Sequence, residues 1–129
     1  MILYLSVPQV LDLHTSLATA FGGPARVRDK SGRESAVARP AQTFDGEELY
    51  PDVATKAAAL MHSLVLNHPF VDGNKRVGAA AAELFVEING GVVHATDDDF
   101  ERITLETAEG RVSAEALAIW FRQRLVTGL

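Results

Sequence analysis

From Lys75 to Asn89 the chain reads Lys-Arg-Val-Gly-Ala-Ala-Ala-Ala-Glu-Leu-Phe-Val-Glu-Ile-Asn, and this run leaves few folds open. Val77, Gly78, Ala79–Ala82, Leu84, Phe85, Val86 and Ile88 surround the helical wheel instead of lining one stripe. Only Glu83 and Glu87 interrupt them. A helix that is apolar almost all round belongs in the middle of a bundle. Its small side chains let neighbours pack close, which would hold its first turn rigidly. Asn89-Gly90-Gly91 stops it.

Residues 66–78 turn the corner into that helix: Leu-Asn-His-Pro-Phe-Val-Asp-Gly-Asn-Lys-Arg-Val-Gly. A helix–turn–helix corner needs only a capping residue and a glycine, and this one holds far more polar chemistry. Lys75 and Arg76 fall in the first helical turn, where unpaired N–H groups and the dipole already concentrate positive charge. A cation there costs roughly 0.3–1 kcal/mol. A phosphate would satisfy the N–H groups, the dipole and both side chains together. Gly73, lacking a Cβ, would let backbone approach that ligand. The plainer alternative is that Asp72 or Asn74 caps the helix and the cations are solvated.

The 129 residues suit one domain, 1–129, with a real core. A 47% hydrophobic and 22% charged composition is that of a soluble globular protein. The absence of cysteine removes disulfides, thiol nucleophiles and Cys-based metal sites. No signal peptide or membrane span is read from the pattern, so a cytoplasmic location and no membrane partner are expected. The net charge of −5 argues against direct nucleic-acid binding. Arg26, Arg28, Lys30, Arg33 and Arg39 make residues 23–39 basic, while residues 83–115 are acidic. Both read most simply as solvated faces, although the basic one could steer a polyanion.

Other elements follow from caps and periodicity. Leu3-Tyr4-Leu5 reads as extended. Ser6 and Gln9 have capping-box spacing, and Val10, Leu13, Leu17 and Phe21 mark a buried face, with His14 on or beside it as a satisfied core histidine. A short helix is expected from about Gly32 to Ala38, then a small hairpin or flap turning at Asp45-Gly46. Val53, Ala57, Leu60, Met61 and Leu64 stripe a helix that ends near Asn67, before Pro69; His62 falls off its stripe. Val92-Val93 could be a brief strand. Thr96 and Ser113 cap two further helices, the last with Leu117, Trp120, Phe121 and Leu125 inward. The expected fold is all-α, a six-helix bundle around residues 75–89 with minimal strand.

His68-Pro-Phe-Val-Asp-Gly-Asn-Lys-Arg76 resembles the active-site loop of the Fic/Doc superfamily. The Fic branch reads His-Pro-Phe-x-Asp/Glu-Gly-Asn-Gly-Arg, the Doc branch His-x-Phe-x-Asp-Ala-Asn-Lys-Arg. Leu13-His14, the preceding helix and Asn89-Gly90 also fall where Doc-like toxins have them. Lys75, in place of the second Fic glycine, and Ala79, in place of a further arginine, are Doc-like; Gly73 is Fic-like. The superfamily's in-chain inhibitory pattern, Ser/Thr-x-x-x-Glu-Gly/Asn, is absent, since Leu105 stands four residues before Glu109-Gly110. The resemblance therefore implies a Phd-type antitoxin acting in trans.

It also implies roles. His68 would be the general base, work suited to an imidazole. Asp72 would hold Mg²⁺ at the nucleotide phosphates. Gly73, Asn74, Lys75 and Arg76 would bind those phosphates, with Lys75 and Arg76 also stabilising transition-state charge. Phe70 would anchor the loop. Fic enzymes transfer AMP and Doc the terminal phosphate of a nucleoside triphosphate such as ATP. With Lys75 filling the place of a glycine, the expectation is a Doc-like kinase acting on a protein hydroxyl, by resemblance a threonine of elongation factor Tu. AMP transfer is the first alternative. A non-catalytic nucleotide-binding module is the second, and a DNA-binding helical regulator a distant third.

Overall fold

Asp52 begins the helix that the others enclose. A computed structural model describes residues 1–127. In chain order it comprises α1 (Val7–Phe21), α2 (Lys30–Ala38), a 3-10 turn (Arg39–Ala41), β1 (Thr43–Phe44), β2 (Glu47–Glu48), α3 (Val53–Asn67) and α4 (Asn74–Ile88). Then follow β3 (Gly91–Val93), α5 (Asp97–Ala108), α6 (Ala114–Arg124) and β4 (Leu125–Thr127). The fold is all-α, six helices with two small two-stranded antiparallel sheets, β1–β2 and β3–β4.

The enclosed helix is α3, not the α4 expected from its apolar composition. Ala57, Leu60, Met61, Leu64 and Val65 are fully buried, and α2, α4, α5 and α6 all pack against α3. α4 keeps Lys75, Arg76, Glu83 and Glu87 on an exposed side. Its alanines serve close approach instead: a Cβ at Gly78 would stand 2.6 Å from Cγ2 of Val65, so the bare α-carbon is what lets α3 and α4 meet there.

Local signals set most boundaries. Ser6 Oγ accepts from the Gln9 N–H and Gln9 Oε1 from the Ser6 N–H, a complete capping box. Asp45 and Gly46, both at positive φ, make the two-residue turn of the β1–β2 hairpin. The base of that hairpin is tied inward by Lys56, whose buried ammonium donates to Glu48 Oε1 at 2.9 Å and to Pro40 O at 3.1 Å.

Three expectations are corrected. α2 starts at Lys30, because the Asp29 carboxylate accepts from the Gly32 N–H and caps it two residues earlier. Leu125 lies on β4 instead of α6: Leu125–Thr127 pairs in register with Gly91–Val93, and that pairing takes the chain out of helix. Phe21 is 64% exposed, at the last residue of α1.

α3 also carries a testable acid sensitivity. Burial pushes the Asp52 pKa up, but the Thr55 N–H and hydroxyl and the Arg122 guanidinium outweigh it and leave the carboxyl below its ordinary value. A carboxylate depressed in this way contributes stability above its unfolded pKa of 3.8 and loses it as pH falls through the folded value. His62 is held low by burial and by Arg39. A histidine favoured in its neutral form loses its contribution as pH falls below its unfolded value of 6.5. Stability is therefore expected to fall with pH over two ranges, through His62 first and Asp52 second. Asp52→Ala should flatten the lower fall and cost about 1 kcal/mol at neutral pH, read from urea midpoints across a pH series.

Candidate active site

The turn between α3 and α4, residues 68–73, is clamped from three directions. His68 ends α3 in the left-handed region at φ 47, a conformation few side chains tolerate. Arg28 holds it there, donating Nε–H to the His68 carbonyl at 2.9 Å. Backbone then continues the brace. The N–H groups of Arg28 and Asp29 both donate to Pro69 O, the Val71 N–H donates to Arg26 O, and Val27 pairs with Phe70.

From the second side, α1 supplies His14. It is buried, stacks on Phe70 with centroids 3.7 Å apart and planes 12° apart, and donates from Nε2 to the Asp72 carbonyl at 2.7 Å. The third clamp is Asn74. Its Oδ1 accepts from the Phe70 N–H and its Nδ2 donates to Phe70 O, both at 3.0 Å. Asn74, expected to orient phosphate, thus spends its side chain closing the loop, and what it offers a ligand is its backbone N–H.

What these clamps leave is an unsatisfied positive end. Ser6, Asp29, Asp52, Thr96 and Ser113 cap α1, α2, α3, α5 and α6 with side-chain oxygens. Only α4 among the described α-helices lacks such a cap: Gly73 takes its N-cap position at φ 80 with no side-chain hydrogen bond. No acidic residue stands in its first turn, where Lys75 and Arg76 are exposed. Neither cation meets a carboxylate among the described residues. Asp72 and Asn74, the candidate caps, do not fill that role. Arg76 lies over the Phe21 ring, 5.0 Å from its centroid, and its N–H groups make no hydrogen bond among the described residues.

His68 and Asp72 are also exposed on this turn. The Asp72 carboxylate stands so close to Gly23 that a Cβ there would lie 2.5 Å from Oδ2. No cation pairs with that carboxylate among the described residues, and no group of three metal-ligating side chains occurs among them. That arrangement fits Mg²⁺, which is commonly held by one or two carboxylates with substrate phosphates and water completing the shell. It does not fit a metal held by protein alone.

A groove of about 690 Å³ runs away from the cations between α1, α4 and α5. Leu17, Phe21, Ala80 and Phe100 form its apolar floor, with Glu83, Asp97 and Glu101 as acids along it. Burial, and then Glu87 and Asp97, raise the Glu83 pKa above its ordinary value.

This turn, braced by α1 and entering α4, lies within the segment that matches a known family: the model of the Fic/DOC family covers residues 4–86. The chain belongs to the Fic/DOC family. It is also 50% identical over 91 residues to a protein named Toxin Doc from Mycolicibacterium smegmatis (strain ATCC 700084 / mc(2)155), covering 70% of this chain and 69% of that protein. The family match takes in α1 through most of α4, while α5 and α6 lie beyond it.

As a Fic/DOC protein the chain carries its loop residues in one contiguous stretch, which made them legible. The braces were not. Within the basic stretch 23–39 Arg28 reads as a solvated cation, and no spacing rule connects position 28 to position 68. His14 was expected to be a satisfied core histidine; the structure adds that its partner is the loop itself. Arg39 likewise leaves the solvated-face reading, donating to Tyr50 Oη and Ser63 Oγ, both at 2.7 Å.

Proposed function

We propose that this protein is a Doc-like toxin that transfers the terminal phosphate of a nucleoside triphosphate, such as ATP, to a protein hydroxyl. The reading is carried by the start of α4, an uncapped helix end bearing two unpaired cations directly after a turn with an exposed histidine and carboxylate. Placing Lys75 and Arg76 there is unfavourable until an anion arrives. A triphosphate would meet the first-turn N–H groups and both side chains at once.

In this scheme the phosphates lie across the N–H groups of Gly73, Asn74 and Lys75. Lys75 and Arg76 spread the charge that grows on the equatorial and leaving oxygens. His68 accepts the proton of the acceptor hydroxyl as its oxygen bonds to the γ-phosphorus. The bond from that phosphorus to the β–γ bridging oxygen breaks, giving a phosphorylated protein and a nucleoside diphosphate, and His68 later releases its proton to water. Mg²⁺ bound between Asp72 and the phosphates would add compact positive charge. Lys75 supports γ- over α-transfer, because a side chain occupies the space that a glycine leaves open to a phosphate. Gly73 is the one feature that favours the Fic-type AMP-transfer alternative.

By resemblance the acceptor is a threonine of elongation factor Tu, its modification halts translation, and the setting is the cytoplasm. An antitoxin of the Phd type would inhibit in trans. The groove beside Lys75 and Arg76 suits its inhibitory segment: an apolar floor for a helix face and clustered acids that a basic partner would relieve. Glu83→Lys combined with Asp97→Lys should weaken antitoxin binding about tenfold or more, by calorimetry, while leaving transfer in the absence of antitoxin unchanged.

Parallel reactions with nucleotide radiolabelled at the γ- or the α-phosphorus test the main reading. Label on the target protein from the γ-position alone is expected. Label from the α-position would replace the kinase with AMP transfer, and no label from either would leave a binding module.

A further inference from the structure

Gly73 poses a mechanical problem. Glycine accepts φ of either sign, so the Asp72–Gly73 peptide can flip at little intrinsic cost. One orientation presents the Gly73 N–H to an anion, the other a carbonyl oxygen that repels it. Something must hold the peptide in the useful orientation.

The structure assigns that task to His14, as a positioning residue that aims the Gly73 N–H at the phosphates. This deepens the phosphate-binding reading of the turn and rests on it. His14 is only 3% exposed, and its Nε2 lies 2.7 Å from the Asp72 carbonyl oxygen. A carbonyl can only accept, so Nε2 carries the proton and donates. No peptide bond among the described residues is cis, and across a planar trans peptide the C=O and N–H point in opposite directions. With the Asp72 C=O turned in to a buried ring, the Gly73 N–H is turned out from it. No acceptor among the described residues claims that N–H.

The surroundings keep the ring from yielding. Its face is stacked on Phe70, itself 1% exposed. Its edge rests against Gly73, where an added Cβ would lie 3.4 Å from Nε2 and 3.6 Å from Cδ2. The ring that holds the peptide thus stands directly beside the glycine that leaves it free to flip. Gly73 at φ 80 and His14 work as one device, assembled from residues on α1 and at the start of α4.

Amide NMR on the isotope-labelled full chain, titrated with Mg–ATP, tests this. The Gly73 amide resonance of the wild type should move on binding. His14→Phe keeps the stack on Phe70 but has no donor, and should weaken binding roughly tenfold, the worth of about one hydrogen bond. His14→Gln retains a donor and should recover much of the loss, a rescue that general destabilisation would not produce. Wild-type affinity and an unchanged Gly73 shift in His14→Phe would overturn the role of His14 while leaving the phosphate site standing. A Gly73 amide that stays still in saturated wild type would remove the phosphate site, and this inference with it. Should His14→Phe fail to fold, imidazole spectra of the wild type decide instead: a proton on Nε2 coupled to the Asp72 carbonyl supports the assignment, and a proton on Nδ1 alone overturns it.

Discussion

Replacing His68 with alanine is expected to slow phosphoryl transfer by about 10²–10⁴-fold, the usual contribution of a positioned base. The ring is exposed, and Arg28 holds the residue by its carbonyl rather than its side chain, so nucleotide binding should survive. One complication is conformational. His68 sits at φ 47, a region that histidine and asparagine occupy more readily than alanine. His68→Asn is the cleaner variant, since asparagine tolerates the left-handed region and is no base. Both variants should lose transfer, and only the alanine should also lose stability. Measured together, transfer rates and urea midpoints separate the chemistry from the backbone. Undiminished growth inhibition by either variant would favour the binding-module reading.

Phe70→Ala should produce the largest loss of stability, about 3–5 kcal/mol for emptying a fully enclosed aromatic site. Against a total of roughly 5–15 kcal/mol for a domain, that leaves a marginal protein. The loss comes from the ring alone, which is enclosed and carries the His14 stack; the backbone bonds to Asn74 and the pairing with Val27 persist in alanine. Phe70→Leu, which keeps most of the volume, should cost less than about 1.5 kcal/mol. Equilibrium urea unfolding of the three proteins measures both numbers. A loss near 1 kcal/mol for Phe70→Ala would mean that the loop is not anchored through this ring.

These two residues also mark what the sequence could convey. Most helix starts were legible because each depends on a side chain within three residues of the backbone it caps, as with Ser6 and Gln9 or Thr96 and Asp99; the α2 start was not, since Asp29 sits in a loop of basic residues. The uncapped start of α4 was legible for the same reason, through cations where acids belong. Contacts between distant segments were not. Leu125, Val126 and Thr127 fit a helical spacing as well as a strand, and only Gly91–Val93, far back in the chain, selects the strand. Phe21 continues the apolar repeat of α1, yet it is exposed beneath Arg76 beside the groove. Periodicity told that α4 was apolar; it could not tell that α3, with its own alanines, would be the more deeply enclosed of the two.

The most direct measurement is diffraction from crystals of the full chain grown with Mg²⁺ and a non-hydrolysable nucleoside triphosphate. Phosphate oxygens are expected on the first-turn N–H groups of α4, between Lys75 and Arg76, with the γ-phosphorus facing His68. Phosphates bound elsewhere, with the start of α4 bare at saturating nucleotide, would contradict that placement.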